Sequence, residues 1–206
     1  MPIYGAPHER GYIPSVKPAN LSLLKEGLAT LELSPEKSAF ERLVGYHDFL
    51  LEYNQHVNLT GFRDEQESVI KNLLNALAPW RFVDASRATA DVGTGGGMPG
   101  LPLAIMLGME RMSLVESKQK KCDFLRAACE KFAPTVEVLH EDVNMITRSF
   151  GQIISIAYGT LAKLLQATTH DGRCKLRAAH AFEHVLWQLA ELLQRDPRCG
   201  ILRREI

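Results

Sequence analysis

Two acids and a set of spaced glycines carry the chemistry that this sequence can offer. In Asp91-Val-Gly-Thr-Gly-Gly-Gly-Met-Pro-Gly100, Gly93, Gly95 and Gly97 stand at alternate positions directly after a short β-type run. That spacing makes a tight turn whose backbone a ligand can approach, because glycine leaves the space open. Residues 88–92 read as the strand and 99–107 as the helix that follows, so the turn lies beyond the carboxyl end of a strand, where open α/β sheets hold ligands. Dinucleotide sites use such a turn to bring a pyrophosphate onto a helix N-terminus. Here Asp91 stands just before the turn, and a carboxylate there suits a cationic ligand better. Glu116 ends the next strand-like run, 23 residues after Gly93, the separation at which one strand-helix-strand unit delivers a carboxylate to ribose hydroxyls. S-adenosylmethionine, a nucleoside with a sulfonium and an ammonium group, answers both acids. Two other readings stay open: Gly95-x-Gly97-x-x-Gly100 spells the dinucleotide fingerprint with Pro99 inside it, and the turn can be purely structural.

Such residues need a sheet to present them. Strands at about 88–92, 111–116, 136–140 and 152–157 alternate with helices at 99–108 and 117–132, the rhythm of a parallel, doubly wound α/β sheet. Ser117 is the expected N-cap of the second helix, which turns Leu125, Ala128, Cys129 and Phe132 inward. Lys118, Lys120 and Lys121 fall at its start, either as a phosphate contact or as an ordinary solvated turn. Ahead of the sheet, Ser34-Pro35 reads as a cap and first-turn pair, followed by Phe40, Leu43, Val44, His47, Leu50 and Leu51 on one face. His47 is accordingly a core or boundary histidine. Ile70, Leu73, Leu74 and Leu77 repeat the pattern after a turn at 58–64. The chain thus divides into a proline-rich flexible extension (1–20), N-terminal helices packed on the core (21–84) and a ligand-binding domain (85–206).

Composition bounds the partners. The 206 residues are 46% hydrophobic, with 24 Lys+Arg against 24 Asp+Glu, enough for one sizeable core and no global basic field. RNA binding is permitted rather than indicated. Cys122, Cys129, Cys174 and Cys199 form no C-x-x-C pair and read as reduced thiols. With four prolines in the first 18 residues, no leader-like apolar run and no long apolar span, a soluble, cytoplasmic protein is expected. His180-Ala-Phe-Glu-His184 spells an inverted zincin motif, but only 22 residues follow it and its helix shows a core stripe, so no metal site is assigned.

Taken together, these residues resemble the small-subunit (16S) ribosomal RNA methyltransferases that modify a guanine N7, the glucose-inhibited division protein B family. The resemblance spans roughly residues 40–170. It is carried by Tyr53-Asn54, Asn58-Leu-Thr60, Arg63-Asp64, the whole segment from Asp91 to Ile105, Leu114-Val-Glu-Ser117, Lys120-Lys121 and Phe124-Leu-Arg126. It implies a class I S-adenosylmethionine-dependent methyltransferase with a Rossmann-like sheet, acting as a monomer on small-subunit rRNA or the assembling small subunit, with no membrane. It also implies that Gly93 and Met98 touch the cofactor, that Glu116 and Ser117 meet its ribose and adenine side, and that Val143-Asn144 replaces an adenine-contacting dipeptide. The expected cofactor set is Asp91, Gly93, Gly95, Gly97, Met98, Glu116, Ser117, Val143 and Asn144. No catalytic side chain is assigned, because guanine N7 is a lone pair that needs alignment rather than a base. The chain also departs from the family. Asn72 and Asn75-Ala76 stand where it reads histidine and aspartate-serine, Ile156 stands where it reads arginine, and the likeness fades after about Asp171. These departures motivate an alternative, a catalytically weakened RNA- or ribosome-binding remnant.

Overall fold

The computed structural model describes residues 17–62 and 64–156. Pro18 opens the first helix, α1 (Pro18–Thr30), at a position where its missing N–H costs nothing. The helix starts inside the stretch expected to be an extension, anchored by buried Asn20, Leu24 and Leu28. The expected Ser34-Pro35 cap does not form. Instead α2 (Lys37–Tyr53) begins two residues later behind Glu36, with no side-chain cap. Its buried face carries Leu43, Val44, Tyr46, His47 and Leu50. Asp64 then caps α3 (Glu65–Ser68) by accepting from the Glu67 amide at 2.9 Å. The helical path continues through a π-turn, Val69–Leu74, into α4 (Asn75–Leu77).

The sheet follows. Strands β1 (Thr89–Val92), β2 (Met112–Glu116), β3 (Glu137–His140) and β4 (Gln152–Ile154) pair in parallel in the order β3-β2-β1-β4. This α/β arrangement is the doubly wound one read from the sequence, with β4 three residues shorter than expected. Helices α5 (Gly100–Leu107) and α6 (Gln119–Phe132) make the crossovers. Gly108 ends α5 in the left-handed conformation at φ 63°, its N–H returned to the Ala104 carbonyl. At the start of α6 the cap position falls to Lys118, which makes no side-chain cap, and Ser117 stays in the preceding loop. Because strand order reverses between β2 and β4 across β1, the carboxyl end of β1 is the topological switch point.

Strand parity sorts the core. Ala90, Val92 and Val115 pack with Leu139, Val143, Phe150 and Ile153 on one face of the sheet. Met112, Leu114 and Ile154 join α5, α6 and the N-terminal helices on the other. The seam between α2 and α6 is aromatic: Phe49 stacks on Phe124 at 5.4 Å, Tyr53 tilts against Phe124 at 5.2 Å, and Tyr46 meets Phe132 edge-on at 6.4 Å. Each such pair contributes about 0.5–1.5 kcal/mol beyond area burial. The N-terminal helices are therefore part of the same core that carries β1. No helix among the described residues is long and apolar enough to cross a membrane.

Candidate cofactor-binding site

The turn after β1 adopts the conformation that its glycines permit. Gly93, Gly95 and Gly97 take φ values of 72°, 59° and 101°, a region that costs other residues about 1–2 kcal/mol each. Nearly every amide of the turn is spent inside the protein. Gly93 and Thr94 donate to the Val115 carbonyl at 3.0 and 3.2 Å, and Gly97 and Met98 donate to the Thr94 carbonyl at 2.8 and 2.9 Å. The Gly95 amide donates to Glu116 Oε2 at 3.2 Å, and the Gly100 amide to Asp91 Oδ2 at 2.8 Å. A pyrophosphate needs these groups free, and the N-terminus of α5 already holds a carboxylate.

Asp91 lies under the turn rather than on its face. Parity in β1 sends its side chain to the α5 side, where it is fully buried and Oδ2 also accepts from Thr94 Oγ1 at 2.5 Å. Burial pushes this carboxyl up to about 7, against the lowering effect of the Thr94 and Gly100 hydrogen bonds, with the negative Glu116 adding to the rise. Its Oδ1 is buried and has no hydrogen-bond partner. Glu116 spans the two loops: Oε1 accepts from the Lys118 amide at 2.8 Å while Oε2 holds Gly95. Each of its oxygens keeps a second lone pair for a ligand hydroxyl. Glu116, which joins two loops with acceptor capacity to spare, fits a ligand that carries hydroxyls, while Asp91, sealed beneath the turn, braces it.

The remaining expected residues divide. Gly93 and Ser117 are exposed, and Gly95 and Met98 are half-buried, so all four border the carboxyl edge of the sheet. Gly97 is buried and faces inward, since a Cβ there would stand 2.9 Å from Tyr46 Oη. Val143 is buried with Val115 and Leu139. Asn144 is exposed and turns back on Asp142, donating to Oδ1 through its amide nitrogen at 2.9 Å and its side chain at 2.7 Å. At the end of β4, Ser155 Oγ donates to the Val92 carbonyl at 2.8 Å, which sets half-buried Ile156 next to the switch point.

Support for the turn comes from residues that the sequence marked only as part of a resemblance, or not at all. Tyr46, on the buried face of α2, donates to the Gly96 carbonyl at 2.5 Å. Asn54 accepts from the Leu59 and Thr60 amides at 2.8 and 3.0 Å and donates to the Thr60 carbonyl at 3.0 Å. That fastens the Asn58-Leu-Thr60 loop, whose Leu59 carbonyl lies 3.4 Å from where a Gly96 Cβ would be. Asn72 continues the chain, accepting from Thr60 Oγ1 at 3.2 Å and donating to Ser68 Oγ at 2.8 Å. The Ser68 oxygen sits 2.9 Å from His47 Nε2. Burial lowers His47 to about 4, so it is neutral at physiological pH. A period-3.6 pattern shows which helix face is buried, yet it cannot show that a buried tyrosine reaches a turn fifty residues away.

The Cys122 and Cys129 thiols are free and buried. Cys174, Cys199, the His180–His184 spelling and the sequence beyond about Asp171 lie outside the described residues.

Residues 39–185 match the GidB family, rRNA small subunit methyltransferase G. The ribosomal RNA small subunit methyltransferase G of Pseudomonas fluorescens is 34% identical over 157 residues, 75% of this chain and 73% of that protein. That of Chromobacterium violaceum is 35% identical over 170 residues, 79% and 81% of the two. A Plasmodium falciparum structure described as a protein-L-isoaspartate O-methyltransferase in complex with S-adenosyl-L-homocysteine aligns at 12% identity with a TM-score of 0.45, covering 78% of this chain and 85% of that one. With the family match covering most of its length, the chain belongs to the rRNA small subunit methyltransferase G family.

Proposed function

We propose that the protein is an S-adenosylmethionine-dependent methyltransferase that methylates N7 of a guanine in small-subunit (16S) rRNA. The observation that carries the reading is the pair of acids at the switch point. Asp91 closes the helix N-terminus that a pyrophosphate would use, and Glu116 stands across the turn with acceptor capacity for ribose. When bound, the cofactor supplies a sulfonium-activated methyl: the N7 lone pair forms the new C–N bond as the C–S pair returns to sulfur. No side chain has to remove a proton. The protein's work is alignment, which Gly93 and Gly95 permit by close backbone approach and Glu116 fixes by joining the β1 and β2 loops. In this reading Gly93, Gly95, Met98, Glu116 and Ser117 border the ligand, Asp91 and Gly97 shape the turn from beneath, and Val143 and Asn144 flank the adenine end. N7 faces the major groove, deep and narrow in A-form RNA, so the target guanine is unstacked or in a loop. The reading takes the protein to be a cytoplasmic monomer that meets the small subunit or its rRNA.

The direct experiment is transfer of labelled methyl from S-adenosylmethionine to small-subunit particles and to naked 16S rRNA lacking the modification. Label at a guanine N7 is expected. Label on another base or none on either substrate rejects the assignment. A second reading, a binding remnant of reduced activity, rests on Ile156. Arg148, a cation eight residues before it, is committed to Glu137 through bonds of 2.5 and 3.1 Å, at the amino end of β3 and thus the opposite edge of the sheet.

A further inference from the structure

Lys121 does not behave as the solvated helix residue that its neighbours are. Lys118 and Lys120 are exposed, whereas Lys121 is half-buried in the first turn of α6. Its Nζ stands 3.9 Å from the point where a Gly95 side chain would begin, alongside the Leu59 carbonyl at 3.9 Å and the Gly93 carbonyl at 4.0 Å. Among the described residues its ammonium makes no ion pair and no hydrogen bond, although Glu116 holds the amide of the same Gly95. An ammonium drawn over a glycine turn and left without a counter-ion is a partly desolvated cation that gains from an anion placed in the crevice. Gly95 is the residue at which the acidic and the basic sides of the site meet.

We infer that Lys121 is the cofactor's carboxylate anchor, pairing with the amino-acid end of the nucleoside while Glu116 serves the ribose. This rests on the cofactor assigned above. It gives the crevice a polarity: acceptors at the end of β2 for hydroxyls, and a donor over Gly95 for a carboxylate. An ammonium-carboxylate contact is a charge-assisted hydrogen bond, stronger than a neutral one. The remaining anion that could reach the same nitrogen is an RNA phosphate, and the two are separable by ligand.

The test uses the full chain and two nucleosides in titration calorimetry. S-adenosylhomocysteine carries the amino-acid group, while 5′-methylthioadenosine has the same adenosine and thioether without it. Lys121→Met keeps the methylene stem and removes the charge. It is expected to weaken S-adenosylhomocysteine about 10- to 100-fold and leave methylthioadenosine unchanged, with Lys121→Arg restoring most of the loss. Equal losses for both ligands would make Lys121 a prop for the turn and overturn the anchor. Unchanged S-adenosylhomocysteine affinity, with loss only of 16S rRNA binding in a filter assay, would overturn it in favour of phosphate. If the wild-type chain binds neither nucleoside, the cofactor reading itself fails, a result distinct from either.

Discussion

At the level of single residues, the site turns on which way each acid points. Glu116 bridges the turn and faces the edge of the sheet, so Glu116→Gln is expected to weaken S-adenosylhomocysteine by about 1–3 kcal/mol through loss of charge-assisted bonds. Gly93→Val should abolish binding, since a β-branched residue cannot comfortably hold φ 72°. Calorimetry on both variants checks this, and near-native affinity in Gly93→Val would make the turn structural. Asp91 carries a pH signature instead. Its carboxyl is raised from 3.8 to about 7 in the folded chain, so between those values the folded state binds the proton that the unfolded state has released. That contribution is present at low pH and is lost as pH rises toward 7. Asp91→Asn should therefore gain stability relative to wild type between pH 5 and 7.5 in urea unfolding, and a constant difference would refute it. The sequence showed that an acid precedes the turn. Its inward direction was not read there: parity sets Asp91 opposite Ala90 and Val92, but it is α5 that covers its face.

At the level of elements, the glycine turn is held from above by α2 and the 58–60 loop as much as from below by β1. Tyr46→Phe removes the donor to the Gly96 carbonyl and leaves a buried acceptor unmatched, at a cost of about 1–3 kcal/mol. Cofactor affinity is expected to fall with it, although the residue touches no ligand. Chemical denaturation and calorimetry on the same variant check the pair of effects; unaltered affinity would show that the turn keeps its shape unaided. The strand and helix succession was legible because hydrophobic period and glycine punctuation agree from 88 to 140. Caps were not: Ser34 and Ser117 have the right chemistry, yet each helix starts after its serine, at Lys37 and Gln119.

For the whole molecule, the departure that bears most on activity lies at the carboxyl end of the sheet. Ile156 occupies the mouth of β4 where related chains are expected to carry arginine, and Arg148 is held at the other edge by Glu137. Ile156→Arg is expected to raise methyl transfer to small-subunit RNA more than it raises cofactor affinity, because a guanidinium can clamp phosphate bidentately where isoleucine cannot. Unchanged turnover would show that the missing arginine does not limit this chain. The strand order has a consequence for how the site comes into being. Thr89 pairs with Met112 and Ser113 with Glu137, 24 residues apart in the latter case, whereas Thr89 and Gln152 are 63 apart. Longer closure costs more chain entropy and is slower to be rewarded. Refolding should join β1, β2 and β3 first and seat β4 last, so that in pulsed hydrogen exchange the β4 amides gain protection after those of β2. The Ile156 side of the crevice would then be completed last, after the loops that carry Gly95 and Glu116 have already met, so a nucleoside finds its grip before the β4 wall of the site exists.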